Sequence, residues 1–253
     1  MTVLQARNLH KSFGGVHAVS DVSFSVAAGE LLAMIGPNGA GKTTCFNMLN
    51  GQLAPDSGSI EMLGKSLAGE APREIFRQGV GRTFQITAAF GSMSVRENVQ
   101  VALLSHQRKL GSMASSLSEL SSARAGEILE QVGMGKHADR PCAELAYGDL
   151  KRVELAMTIA PQPRLLLMDE PTAGMAAAER SELMQLAADL ARESSIAVLF
   201  TEHDMGVVFR YASRVIVLSE GRLIAQGTPD EVRTDPLVRQ VYLGDPDTGP
   251  ANA

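Results

Sequence analysis

The sequence predicts an α/β fold in which short buried strands alternate with helices, interrupted by one all-helical section. The first observation is a set of four apolar runs of four or five residues, at positions 31–35, 165–168, 196–200 and 215–218. Runs of this length and continuity are typical of strands buried in a parallel sheet. The second observation is that apolar residues recur at helical spacing through residues 86–160. The 253 residues suffice for one large domain with an inserted lobe.

The composition, net charge and cysteine content limit the classes of protein to which this sequence can belong. The net charge of −5 and the pI of about 5.6 argue weakly against nucleic-acid binding. Cys45 and Cys142 lie far apart without metal-ligand spacing, which favours two structural thiols in a reduced cytosolic compartment. The N-terminus lacks the apolar core of a signal peptide. No stretch reaches the roughly 18–20 apolar residues of a membrane span, so at a membrane other chains must provide the spans.

The most specific motif occupies residues 36–44 and fits the phosphate-binding pattern G-x-x-x-x-G-K-[ST]. Its candidate nucleotide-binding residues are Gly36, Pro37, Asn38, Gly39, Ala40, Gly41, Lys42, Thr43 and Thr44. The glycines let backbone N–H groups point at phosphate oxygens, next to the positive end of a predicted helix over residues 45–50. We expect Lys42 to reach the β- and γ-phosphates and Thr43 to ligate Mg²⁺. An ordinary strand–turn–helix connection is a poor alternative, since strand, loop and helix are all in place.

The segments around this loop give two further candidates. Residues 3–6 and 22–26 are predicted strands around a Gly14-Gly15 turn. Phe13 is either a core aromatic or a ring that stacks on adenine. Downstream, a predicted strand over residues 80–85 ends at Gln85. Gln85 is either a solvated loop amide or, at the carboxyl edge of a parallel sheet, a residue that faces the ligand crevice.

The helical section contains one weak region and one possible anion site. Residues 105–122 are rich in Ser and Gly, which predicts a mobile connection or a weak helix. Residues 145–149 close a loop and open the third predicted helix, with Gly148 one residue before the helix start. Backbone N–H groups at that point would be available to an anion. Many loops share this pattern.

Two acidic residues follow the buried strand at 165–168. In a protein with a phosphate-binding loop, Asp169 at this place usually holds Mg²⁺, and Glu170 can polarise the attacking water. The alternative is that the pair caps the next helix, predicted over residues 176–192; the two roles are compatible. His203 follows the strand at 196–201 and is either structural or a contact to the γ-phosphate. A predicted hairpin at Glu220-Gly221, short helices and a disordered tail complete the chain.

Taken in order, these motifs resemble the ATP-binding subunits of ABC transporters over almost the whole chain. A signature-like loop follows Gln85 and precedes the acidic strand and His203; its members are Leu145, Ala146, Tyr147, Gly148 and Asp149. The finer resemblance is to importer ATPases for branched-chain amino acids, on residues 82–85, 145–148, 201–205 and the C-terminal stretch. Urea importers and the lipopolysaccharide-export ATPase are similar in several of these stretches. A soluble ABC-type ATPase of DNA repair or translation is the other class, although the coiled-coil insertion or tandem domains of that class are missing.

The resemblance implies a fold, cofactors and residue roles. It implies an ATPase core with an N-terminal antiparallel β subdomain over residues 1–85 and 161–244, a helical subdomain over 86–160, and a flexible tail over 245–253. The implied cofactors are ATP and Mg²⁺. Phe13 would stack on adenine, while Thr43, Gln85 and Asp169 would surround the metal. Glu170, His203 and Gln85 are the implied catalytic residues, and the signature would complete the site of a partner subunit.

Two departures from the family pattern bear on that partner. Ala146 replaces the usual signature serine, Tyr147 the first glycine and Asp149 the glutamine. Ala176 stands where the family often has an aspartate, six residues after Glu170. We therefore expect a heterodimer with a second ABC ATPase. The resemblance further implies membrane permease subunits, a separate substrate-binding protein outside the membrane, no nucleic acid, and a peripheral location on the cytoplasmic face of the inner membrane.

Overall fold

The computed structural model describes residues 1–83, 89–106 and 115–243 of the chain. The strands are β1 Thr2–Phe13, β2 Val16–Ala27, β3 Leu31–Ile35, β4 Ser57–Met62, β5 Lys65–Ser66, β6 Val80–Thr83, β7 Leu165–Asp169, β8 Ala197–Thr201, β9 Arg214–Ser219 and β10 Arg222–Gly227. The helices are α1 Lys42–Leu49, α2 Pro72–Arg77, α3 Val95–His106, α4 Ser115–Gln131, α5 Tyr147–Ile159, α6 Ala177–Ser194, α7 Met205–Tyr211, α8 Pro229–Thr234 and α9 Pro236–Val238. A π-helical turn spans Arg239–Leu243.

The main sheet has the strand order β10-β9-β3-β8-β7-β6. The five strands from β9 to β6 are parallel, and β10 is antiparallel to β9. The central strands β3, β7 and β8 are covered on both faces, so their residues are apolar except for the last residue of β7 and of β8. In β3, Leu31 and Ala33 pack into one hydrophobic cluster while Leu32 and Met34 pack into another. The predicted α/β fold with a parallel sheet is therefore present.

A second, antiparallel sheet has the order β2-β1-β4-β5. Its first two strands are 12 residues each, longer than the sequence pattern predicted. One face of this sheet is exposed, so polar residues such as Arg7 and Lys11 break up the apolar runs that mark a strand. Gly14 and Gly15 form the predicted turn, with φ of 53° and 88°. Phe46 of α1 is fully buried in the cluster between the two sheets.

The helical section packs directly on the main sheet. Helices α3, α4 and α5 lie between β6 and β7 in the chain. Their buried residues, among them Val99, Ile128 and Val153, belong to the same cluster as Leu31 and Phe200 of the sheet. Of the predicted weak region, the part from Ser115 onward is regular helix; residues 107–114 lie outside the described ranges, as does the predicted tail.

Two predicted helix starts were wrong, and the start of a third helix lies within one residue of its predicted place. Helix α1 begins at Lys42 and not at residue 45, because Gly41 takes a left-handed conformation that ends the loop there. Helix α5 begins at Tyr147 after Ala146, so Gly148 lies inside the first turn. Helix α6 begins at Ala177, where Glu179 caps the N–H of Ala176 at 3.0 Å. Capping of this helix by Asp169 and Glu170 is therefore excluded.

Both cysteines are free and buried, and burial raises the pKa of Cys45 to about 12.

Across the described part of the chain, no helix combines the length and the apolar character needed to cross a membrane.

Phe46 should be a main determinant of stability. We expect Phe46→Ala to lower the free energy of unfolding by about 3–5 kcal/mol, because it leaves a cavity between the two sheets. Phe90→Ala is the matched control, since Phe90 is 52% exposed and should change the free energy by no more than about 0.5 kcal/mol. Urea denaturation followed by circular dichroism measures both; equal effects of the two variants would contradict the packing described above.

Candidate active site

The glycine-rich loop joins the carboxyl end of β3 to α1 and is held by close backbone contacts. A Cβ on Gly36 would lie 2.0 Å from the Leu218 carbonyl oxygen, and one on Gly41 would lie 2.4 Å from that of Ala18. Their φ angles of 146° and 101° are also open mainly to glycine. The loop therefore needs glycine at these two positions. At Gly39, by contrast, an added Cβ would meet nothing within 4 Å. The backbone at Gly39 therefore borders open space.

Lys42 is turned into the loop. Its ammonium group donates to the carbonyl oxygens of Gly36 at 2.5 Å and Pro37 at 3.1 Å, and the residue is only 8% exposed. Desolvation lowers the pKa of Lys42, and the charges of Glu170 and Asp169 oppose that shift. A buried cation held by two neutral carbonyls can gain a stronger charge-assisted bond from an anion in the loop.

Asp169 ends β7 beside the end of β8, and both of its carboxylate oxygens have partners. The Thr201 hydroxyl donates to Oδ1 at 2.8 Å, and Nη2 of Arg82 donates to Oδ2 at 3.3 Å. Thr201 also accepts the backbone N–H of Glu170 at 3.0 Å. In the sheet register Asp169 lies opposite Thr201, so the strand pairing itself makes this contact. The Asp169 side chain is 12% exposed.

Glu170 and His203 form a pair at the same edge of the sheet. Nε2 of His203 lies 2.9 Å from Oε1 of Glu170, and both side chains are partly exposed. Glu170 has φ 48°, a left-handed conformation that is unfavourable for this residue type. Such backbone strain is concentrated at functional sites. A carboxylate paired with an imidazole can accept a proton from a water molecule.

The buried Glu202 links the loop after β7, which contains Thr172, to the loop after β8, which contains His203. Glu202 is 4% exposed, and its Oε1 accepts the backbone N–H and the hydroxyl of Thr172 at 2.9 and 2.6 Å. Its Oε2 accepts the N–H of His203 at 3.2 Å. Tyr242 of the C-terminal turn lies nearby: burial raises the pKa of Tyr242, and a hydrogen bond from the Gly36 backbone opposes that shift.

The remaining sequence candidates lie in different places. Phe13 is 50% exposed, so the core alternative is wrong, and the Lys11 ammonium lies 5.7 Å from its ring centroid. At the N-terminus of α5, Ala146 and Tyr147 are exposed, and Gly148 allows a close approach to Glu179: a Cβ on Gly148 would lie 2.7 Å from the Glu179 carboxylate. Gln85 lies outside the described residues.

The oxygen donors at this site suit a Mg²⁺ ion that is also bound by the phosphates of a ligand. Within the described ranges, no three His, Cys, Asp or Glu side chains converge to hold a metal. The exposed Thr43 in the first turn of α1 and the carboxylate of Asp169 are oxygen donors of the kind Mg²⁺ prefers. Mg²⁺ usually takes one or two protein oxygens and completes its shell with phosphates and waters. The site therefore fits a metal–nucleotide complex.

Sequence reasoning missed Arg82, Thr201, Thr172 and Glu202 as site residues. Each acts through a contact between residues 30 or more positions apart. Two features of the sequence could have indicated these residues. Arg82 is a charged residue within a predicted strand, and the polar residues Thr201 and Glu202 follow the apolar run at 196–200, directly before His203.

A glycine-rich loop at the end of a central strand, with a buried lysine and an acidic pair on a neighbouring strand, defines a P-loop nucleoside triphosphatase. The family model "ABC transporter" matches residues 19–173, and the model "Branched-chain amino acid ATP-binding cassette transporter" matches residues 222–248. The first match covers more than half of the chain, so the chain belongs to the ABC transporter family. As an ATPase of this family it binds nucleotide and couples ATP hydrolysis to transport.

Individual relatives are similar over nearly the whole length. The chain is 39% identical over 252 residues to the high-affinity branched-chain amino acid transport ATP-binding protein LivG of Salmonella typhimurium, covering 96% of this chain and 98% of LivG. It is 36% identical over 244 residues to the lipopolysaccharide export system ATP-binding protein LptB of Acidithiobacillus ferridurans, covering 96% and 97%.

Solved structures have the same fold. A nucleotide-free ATP-binding cassette from an ABC transporter superposes with a TM-score of 0.84 at 29% identity, covering 97% of this chain and 100% of that one. A dimeric post-hydrolysis state of the cassette MJ0796, bound to ADP and Pi, gives 0.76 at 25% identity, covering 89% and 98%. The predicted ABC ATPase fold is thereby confirmed.

The Thr201 hydroxyl should be required for the geometry of the acidic pair. We expect Thr201→Val to lower the free energy of unfolding by about 1–3 kcal/mol, because it leaves Oδ1 of Asp169 and the Glu170 N–H without their partner. Thr201→Ser retains the hydroxyl and is the matched control. Urea denaturation of both variants is the measurement, and a valine variant as stable as the serine variant would contradict this role.

Proposed function

We propose that this chain powers the uptake of branched-chain amino acids through a separate membrane permease. The observation that carries the proposal is the match of residues 222–248 to the branched-chain amino acid transporter model. The name of LivG, a relative that aligns over almost the full length, supports the same substrate class.

In this proposal the phosphates of ATP bind in the loop of residues 36–44. The Lys42 ammonium group exchanges its bonds to the Gly36 and Pro37 carbonyls for bonds to the phosphates. The new bonds are stronger because both partners are charged. Phe13 supplies an exposed ring for the adenine. Mg²⁺, when bound, neutralises phosphate charge. Thr43, Asp169 and Gln85 are the residues that would hold it.

Glu170 orients and deprotonates the attacking water in the proposed mechanism. His203 is 2.9 Å from its carboxylate and keeps that carboxylate directed at the site. Glu202 fixes the backbone of His203 and of Thr172, so the two loops move as one unit. Phosphoryl transfer depends mostly on positioning and charge neutralisation, and this network supplies positioning.

The signature loop at the start of α5 acts in a second subunit's site under this proposal. The dimeric cassette bound to ADP and Pi supports such an arrangement. Ala146 offers no hydroxyl, and Asp149 puts a negative charge in the first turn of α5, which opposes an anion at the helix N-terminus. We therefore propose a heterodimer whose two sites are unequal, with the permease placing it on the cytoplasmic face of the inner membrane and a separate binding protein supplying substrate.

A lipopolysaccharide exporter is the second candidate. The similarity to LptB, at 36% identity, favours it. The match of residues 222–248 weighs against it.

Substitution of Glu170 tests the catalytic assignment. We expect Glu170→Gln to retain ATP binding and to lower the turnover rate by about 10²–10⁴-fold, because the amide cannot accept the proton. The assay is ATP hydrolysis by the complex with its permease, together with equilibrium binding of labelled ATP. Glu193→Gln, on the exposed C-terminal turn of α6, is the control and should leave both quantities unchanged. Wild-type turnover in Glu170→Gln would refute the role of Glu170.

Native co-purification separates the two transport systems. Affinity purification from detergent-solubilised native membranes, followed by mass spectrometry, should recover two permease subunits and a second, different ATPase. Recovery of one paired exporter and no second ATPase would point to lipopolysaccharide export. Recovery of no membrane protein would contradict both candidates and favour a soluble ATPase.

A further inference from the structure

Arg82 is a charged residue within the sheet, at the centre of a polar network beside the catalytic edge. It lies on β6, next to β7, with a side chain only 15% exposed. Its guanidinium donates through Nη2 to Asp169 and through Nη1 to the side-chain oxygens of Asn47 at 2.9 Å and Gln52 at 3.0 Å. One side chain thus contacts α1, the loop after α1, and the end of β7.

We propose that Arg82 is a positioning residue that competes with Mg²⁺ for the Asp169 carboxylate. The inference rests on the proposed role of Asp169 as a metal ligand. In the structure the guanidinium supplies the positive charge that balances this carboxylate at 3.3 Å. A divalent cation held by Asp169 would share the same oxygens with a second, poorly hydrated positive charge, and the mutual repulsion is strong where water is scarce. Arg82 therefore weakens metal binding and keeps Asp169 paired in its absence.

The bond to Asp169 is the one that the guanidinium can release most readily. At 3.3 Å it is longer than the two bonds to the amides. The two amide acceptors do not take part in holding metal and remain available after Asp169 is released. Nε of Arg82 is buried without a hydrogen-bond partner among the described residues, so the present position does not satisfy the whole group.

The structure also has space for the released group. Arg82 borders a cavity of about 160 Å³ that is lined mostly by apolar side chains, with Asn50, Gln52 and Thr158 as its other polar members. The guanidinium can move away from Asp169 toward the Gln52 side of this cavity while its bonds to the Asn47 and Gln52 amides are kept. Lys42, a second cation close to Asp169, already has two carbonyl partners and does not replace Arg82.

The test measures metal affinity directly. Mn²⁺ is titrated into the purified full chain with a non-hydrolysable ATP analogue at saturation, and free Mn²⁺ is followed by electron paramagnetic resonance. We expect Arg82→Gln to bind Mn²⁺ about tenfold more tightly than the wild type, since the competing charge is gone. Arg82→Lys keeps the charge and should remain within about threefold of the wild type. Arg77→Gln, which removes a partly buried arginine of α2 that is paired with Glu74, is the control and should change nothing.

A double variant separates this inference from the proposed function. Asp169→Asn should weaken Mn²⁺ binding, and adding Arg82→Gln to it should produce no further change, because the competition is for Asp169. If Asp169→Asn left Mn²⁺ affinity unchanged, the proposed metal role of Asp169 would be wrong. If Asp169→Asn weakened binding but Arg82→Gln had no effect or also weakened it, the competition alone would be overturned.

A second variant covers a failure of Arg82→Gln to fold. Gln52→Ala removes one of the two neutral acceptors and leaves the guanidinium more dependent on Asp169. We expect Mn²⁺ binding to weaken by about threefold in this variant. Unchanged or tighter binding would contradict the proposal.

Discussion

The parallel register of β3, β7 and β8 is the constraint on which the whole site depends. Asp169 pairs with Thr201, and Thr201 pairs with Met34 one residue before the end of β3. The loop after β3, the acids at the end of β7 and the histidine after β8 therefore lie at one edge of the sheet, as expected for a ligand site in a parallel sheet. A shift of one residue would turn each apolar side chain to the opposite face. Because the two faces of β3 pack into two different clusters, such a shift would disrupt both, and this packing holds the strand ends in place.

Charge balance at this edge explains several features that geometry alone does not. Asp169, Glu170 and Glu202 bring three carboxylates to adjacent strand ends, and two cations accompany them, the buried Lys42 and the partly buried Arg82. Glu202 is satisfied by Thr172 and by backbone, whereas Asp169 depends on a hydroxyl and a guanidinium. Both cations lie beside Asp169, the carboxylate that is proposed to exchange partners during turnover. Glu202, in contrast, has neutral partners and connects the loop that contains Thr172 to the loop that contains His203.

The sequence predicted the parts of the site that are local and left out those that are long-range. The strand–loop–helix order around residues 36–44, the acids at the end of β7 and the turn at Glu220-Gly221 each depend on a few consecutive residues, and the structure has all three. The pairing of Arg82 with Asp169 joins positions 87 apart and follows only from the adjacency of β6 and β7. The starts of α1 and α5 were misplaced for a related reason. Helical conformation there begins at Lys42 and Tyr147, where side-chain patterns give no signal.

The two departures from the family pattern lie at the N-termini of two helices that touch each other. Ala146 and Ala176 are the N-cap residues of α5 and α6, and neither has a side chain that can accept a helix N–H. Glu179 compensates at α6 by accepting the N–H of Ala176, and its carboxylate packs against Gly148 of α5. A second acidic residue, Asp149, occupies the first turn of α5. Carboxylates thus lie at the positive end of both helices, where they oppose the binding of an anion. Under the heterodimer proposed above, the partner subunit would supply the full signature that this chain lacks.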